Sequence, residues 1–147
     1  MPGYITQQEL TGVMPLEKIH DACSDQTSQQ SPEEVWDSIC ATVSEEIDGL
    51  MAPRYAHPFP DPVHPALKTA ARWITLEALY IRRGIYAEAN PATAKADTAR
   101  KSLRDIGSGK VLLDAVSPLP AAPAASIAPA AATEPMNTKP SCRRLLF

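Results

Sequence analysis

Three groups of side chains in this sequence could do chemistry, and each falls short of a complete site. His57, Asp61 and His64 share one proline-rich stretch, and a carboxylate between two imidazoles could bind a metal or shuttle a proton. No closely spaced fourth ligand accompanies them, and loops rich in proline, histidine and aspartate commonly serve conformation alone. His20 and Cys23 form one His-x-x-Cys, which needs a second such pair to close a tetrahedral zinc site. Gly107-Ser108-Gly109-Lys110 lacks the longer spacing, and the hydroxyl residue after lysine, that a phosphate loop requires. No serine lies in a Gly-x-Ser-x-Gly elbow. The sequence therefore predicts no catalytic residue, no metal and no cofactor, and a protein that is not an enzyme.

The elements that would position such residues are helices. Thr6-Gln7-Gln8-Glu9 has capping-box spacing, with Leu10, Val13 and Met14 behind it, and Leu16 and Ile19 suggest a second short turn after Pro15. Ser24 to Gln30 is a loop by composition. Ser31-Pro32-Glu33-Glu34 supplies an N-cap, a first-position proline and acids at the positive end of the dipole. Val35, Trp36, Ile39, Val43, Ile47, Leu50 and Met51 then recur every three or four residues up to Pro53. The prolines from Pro53 to Pro65 forbid helix and central strand alike, so an extended connection is expected there. It should be too stiff to collapse onto the domain, which leaves Arg54 and Tyr55, at its start, placed for a neighbour or a loop clamp.

Ala66 to Arg83 has so wide an apolar face that it predicts a central, largely buried helix ended by Gly84. Asn90-Pro91 should cap a last helix over Ala92 to Ile106, whose charged residues, Arg100 among them, form its outer cover and which Gly107 and Gly109 stop. The fold class that follows is mainly all-α: a bundle of about four helices over residues 1–115, with a proline-rich connection and an extended arm over 116–147. Trp36 and Trp73 read as core or subunit-interface anchors. Arg82 and Arg83, with Arg72 nearby, could meet nucleic acid or a neighbour's acids, although a solvated helix end is the simpler reading.

Composition narrows the function classes. A chain of 147 residues holds one domain with a real core. Its net charge of -3 argues against a body built to grip phosphate backbones. Cys23, Cys40 and Cys142 fit neither a zinc spacing nor a secreted disulfide framework, and suit a reducing cytoplasm. No apolar run approaches the roughly 20 residues of a bilayer span, and Met1-Pro2-Gly3-Tyr4 does not open a signal peptide, so a soluble protein without membrane contact is expected.

In linear order the features resemble the head-tail adaptor, or neck, proteins of Mu-like tailed bacteriophages. The resemblance starts at Tyr4, Thr6 and Leu10 and is most specific in Ile47-Asp48-x-x-Leu50 followed by Arg54-Tyr55 and Pro58. It continues through Pro65, Leu67, Lys68, Ala70, Ala71, Leu79, Tyr80, Arg82 and Arg83, and closes at Gly109-Lys110-Val111, covering about Tyr4 to Leu113. Family members usually carry an Asp-Arg near the end of the first helices, which Asp21-Ala22 and Asp25-Gln26 match poorly. The resemblance implies a virion protein at the head-tail junction, assembled in the host cytoplasm. It would form a homo-oligomeric ring of twelve subunits that binds the portal protein above and a tail-side neck or tail terminator protein below. DNA would pass through without sequence-specific binding, and an acidic wall would repel its phosphates. A small helical DNA-binding or regulatory module using the arginines near Arg82 is the alternative.

The arm lies outside that resemblance. Its Ala/Pro composition favours an extended chain, and its end changes character: Arg143 and Arg144 offer donors to carboxylates, and Leu145, Leu146 and Phe147 are large and apolar. Such a tip reads as a plug for a pocket on the portal or on an adjacent subunit.

Overall fold

The computed structural model describes residues 3–24, 29–57, 59–114, 116 and 118–119. Five α-helices and no strand occur among them: α1 (Gln7–Leu10), α2 (Leu16–Cys23), α3 (Pro32–Met51), α4 (Pro65–Arg82) and α5 (Thr93–Gly107). None is long and apolar enough to cross a membrane.

Helix starts follow local chemistry. The Thr6 hydroxyl accepts from the Glu9 amide at 3.3 Å while the Glu9 carboxylate accepts from the Thr6 amide at 2.9 Å, and Ser31 and Glu34 repeat the exchange at 3.2 and 2.9 Å. These capping boxes each satisfy two amides that a helix end leaves unpaired. His64 caps α4, its Nδ1 accepting from the Ala66 amide at 3.2 Å, with Pro65 at the first helical position.

Two helix ends are Schellman motifs. Gly84 and Gly109 have φ of 76° and 80°, where only glycine is unstrained. The next amides, of Ile85 and Lys110, reach back to the carbonyls of Tyr80 and Asp105 at 3.0 and 2.9 Å. Gly107 does not share that role. It lies inside α5, and a Cβ there would collide with the Leu50 carbonyl oxygen, so its function is to let α5 approach α3 closely. Pro91 also lies before α5 rather than in its first turn. A 3-10 turn at Ala87–Ala89 precedes it, and the buried Asn90 accepts from the Ala92 amide at 2.9 Å while donating to the Glu77 carbonyl at 3.2 Å.

α4 is the central helix that its sequence predicts. Ala66, Ala70, Trp73 and Glu77, at helical spacing on one face, turn toward α5. Lys68 and Arg83, on the far face, pair with Glu9 ahead of α2 and Asp21 within it, at 2.7 and 2.6 Å. α1 and α2 thus lie on one side of α4 and α5 on the other, with α3 packed against both layers. The proline segment lies on this body instead of standing off it. Phe59 is 7% exposed and packs edge-on to Tyr4, with ring centroids 6.1 Å apart, and against Tyr55 at 6.3 Å. Enclosing one phenylalanine stabilises by roughly 1.5–3 kcal/mol, which offsets the stiffness of the flanking prolines.

Candidate interaction surfaces

The end of α3 gathers the motif residues into a fastening point. Ile47 and Tyr55 are fully buried, so they act through the backbone they hold. The Tyr55 hydroxyl accepts from the Leu113 amide at 3.1 Å. Asp48 accepts a hydrogen bond from the Tyr4 hydroxyl; burial first, and this bond second, push the Tyr4 phenol well above its ordinary range. Leu50 is half-buried and presents its carbonyl to Gly107. The Arg54 guanidinium lies over Gly109, where a Cβ would stand 2.9 Å from Cζ. Its Nε is buried without a hydrogen-bond partner among the described residues, while its carbonyl accepts from the Leu119 amide at 2.7 Å. Val116 packs against the core. The motif therefore joins the N-terminal segment, the proline segment and the chain after α5 as far as Leu119.

A charged clamp ties three helices together. Arg100 of α5 places Nε 2.6 Å from Glu46 of α3 and Nη1 2.7 Å from Glu77 of α4. Glu77 is 6% exposed, and a buried carboxylate without a partner would be costly. Hydrogen bonding to Glu46, reinforced by Glu77, outweighs burial and raises the guanidinium's pKa further above its ordinary value. By sequence alone Arg100 belongs to the outer cover of its helix, and the structure corrects that placement. The available signal is Glu77 itself, one acid set among Ile74, Leu76, Ala78 and Leu79, which demands a cation from elsewhere.

Between α4 and α5 runs a groove of about 400 Å³ with an apolar floor of Ala70, Ala99, Leu103 and Ile106. Trp73 forms one wall, and the Lys95 ammonium sits 4.1 Å from its ring centroid, a cation–π contact. Trp36, by contrast, is 7% exposed in the core. Arg82 and Arg83 are exposed at the end of α4, and Arg83 bonds Asp21 at 2.6 Å. Arg143, Arg144, Leu145, Leu146 and Phe147 lie outside the described residues.

His57, Asp61 and His64 do not converge, since His64 is engaged as a helix cap; among the described residues no group of three or more His, Cys, Asp or Glu is arranged to hold a metal ion. Cys23 and Cys40 are buried free thiols, and burial raises both pKa values, that of Cys40 to about 12.

The sequence profile of the family described as bacteriophage Mu, Gp36 matches residues 4–130. The match runs past Leu113 into the Ala/Pro stretch. No curated protein and no solved structure matches the chain. With a family profile spanning most of its length, the chain belongs to the bacteriophage Mu Gp36 family and is a Mu-like phage protein.

Proposed function

We propose that this protein is a structural component of the phage neck, a ring of twelve subunits that joins the portal of the filled head to the tail-side neck or tail terminator protein and continues the DNA channel. The observation that carries this reading is the family match across residues 4–130. Charge distribution supports it. α3 contains Glu33, Glu34, Asp37, Glu45, Glu46 and Asp48 and no lysine or arginine, and Glu33, Glu34, Asp37 and Glu45 are exposed. Such a face repels phosphate and suits a wall along which DNA must slide without sticking.

In this reading the residues after Leu119 extend toward the portal, and Arg143 to Phe147 are their anchor. Twenty polyproline-like residues span about 60 Å, enough to reach a neighbouring protein. Removing Arg143 to Phe147 is expected to leave helicity and melting unchanged while weakening attachment to the portal, measured by co-sedimentation. Undiminished attachment would refute the anchor.

A further inference from the structure

We propose that, before assembly, the pocket between the proline segment and the chain after α5 holds the Arg143 to Phe147 tip of its own chain, with Arg143 and Arg144 at Asp61 and Asp114. The docking stands on the pocket itself; its consequence, that the portal must draw the tip out, rests on the anchor reading above.

Charge and reach carry it. The pocket is about 400 Å³, and Phe59, Pro62, Val63 and Val116 line it beside the two acids, a size and lining suited to enclosing apolar groups. Asp61 and Asp114 are exposed and have no ion-pair partner among the described residues. Lys110, the cation nearest Asp114 in sequence, bonds Asp105 at 3.1 Å. His64 adds no charge to the pocket, because its Nδ1 accepts from the Ala66 amide and so carries no proton. A guest that suits such a pocket joins cations to large apolar side chains, as Arg143, Arg144, Leu145, Leu146 and Phe147 do within one short run. The comparable run among the described residues, Arg82 to Tyr86, has Arg83 bonded to Asp21 and Arg82 engaged as well. Other clefts suit the tip less. Lys95 lines the α4–α5 groove and would repel it, Glu46 and Glu77 are already held by Arg100, and beside Leu16 the acid Asp21 is taken by Arg83.

The pocket also lies where the tip is tethered. The chain is held to the body as far as Leu119, whose amide donates to the Arg54 carbonyl, and Asp114 and Val116 of the same stretch form part of the pocket wall. Residues 120–142 are the tether. A proline-rich chain keeps its direction over only several residues, so this one can turn back. It then presents the tip at an effective concentration on the order of 0.1–1 mM, which a dilute partner does not match.

Cys142 lies next to the tip in sequence, whereas Cys23 and Cys40 are buried, so a nitroxide can be placed on Cys142 of the full chain. In nuclear magnetic resonance of the free protein at low concentration, it is expected to broaden the amide signals of Asp61, Val63, His64 and Asp114 and to spare Thr98 and Ser102 in the groove. Asp61→Asn combined with Asp114→Asn, checked for folding by circular dichroism, should remove that broadening. Broadening at the groove instead, broadening spread evenly, none at all, or broadening that survives the paired substitution would overturn the docking. So would broadening of an isotope-labelled chain by the nitroxide of an unlabelled one, which would give the pocket to a second copy. Opening the pocket also frees the tip. The paired variant should therefore attach to the portal roughly tenfold more tightly, the factor for a tip docked in about nine-tenths of free chains. If removing Arg143 to Phe147 weakens attachment and the paired variant is no tighter than wild type, the competition is refuted. If removal changes nothing, the anchor reading fails, and the docking is still judged by the broadening.

Discussion

The two sides of α4 are fastened by the same kind of bond in different surroundings. Toward α1 and α2, Lys68–Glu9 and Arg83–Asp21 lie at the surface, with side chains 35–61% exposed. Toward α5, the Arg100 side chain is 22% exposed and that of its partner Glu77 only 9%, Asn90 adds a buried hydrogen bond to α4, and Gly107 lets α5 approach α3 closely. Exposed ion pairs contribute little, because water and salt screen them. Breaking a buried one strands a charge. Distances near 2.6 Å on both sides therefore conceal a large difference in energetic weight, and α5 with α3 and α4 forms the rigid platform on which the α1–α2 layer rests.

The largest expected effect comes from removing the clamp. Arg100→Ala leaves Glu77 buried and unpaired and should destabilise the protein by about 3–5 kcal/mol, lowering the midpoint of thermal unfolding by roughly 10 °C or more. Arg83→Ala on the other side should cost no more than about 0.5 kcal/mol. Equal losses in the two variants would abolish the distinction between the sides.

Gly107→Ala sharpens it. Glycine-to-alanine substitution inside a helix ordinarily stabilises by about 1 kcal/mol, and Gly49, on the exposed face of α3 with nothing within 4 Å of where a Cβ would stand, should behave so. At Gly107 the sign should reverse, with a loss of about 1–3 kcal/mol as α5 is pushed off the Leu50 carbonyl. Urea denaturation of both variants measures the pair, and a stabilised Gly107→Ala would show that the helices do not approach as described.

Tyr55→Phe retains the packing of the ring but strands the Leu113 amide, for which about 1–2 kcal/mol is expected. Hydrogen exchange should locate the loss at Leu113 and its neighbours, sparing α4. Exchange that is unchanged at Leu113 would detach Tyr55 from the path of the chain after α5.

The smallest effect concerns Glu9. Its pKa is lowered, first by the hydrogen bond from Lys68 and then by the Thr6 amide. A folded-state pKa below the unfolded value contributes stability above the unfolded pKa and loses it as pH falls through the folded one. Glu9→Gln should therefore cost under about 1 kcal/mol at neutral pH, and the difference from wild type should vanish in acid below the ordinary carboxylate range of about 4. A difference that persists there would assign the effect to packing instead of charge.

Local signals in the sequence suffice where chemistry is local. Thr6-x-x-Glu9, Ser31-x-x-Glu34, the proline at position 65 and the glycines at 84 and 109 each specify a helix end by their own hydrogen bonds or φ, and the width of the apolar face over Leu67 to Ile81 marks the central helix. What depends on a partner distant in sequence is not legible. Arg100 alternates with other charges on α5, and nothing in its neighbourhood distinguishes it from Lys101 or Arg104 as the residue that will meet Glu46, 54 positions away. Gly107 next to Gly109 reads as a helix stop until Leu50 is placed against it. Tyr55 and Phe59 lie in a segment whose prolines suggest an arm held clear of the body, and only the ring contacts with Tyr4 show that the segment is covered.

The neck reading is tested most directly by electron microscopy of the purified full chain mixed with the portal of the same phage. The expected result is a ring of twelve subunits seated coaxially beneath the portal, with the acidic face of α3 lining a channel continuous with the portal's own. Free portal rings with no added layer, or density bound away from the axis, would contradict it.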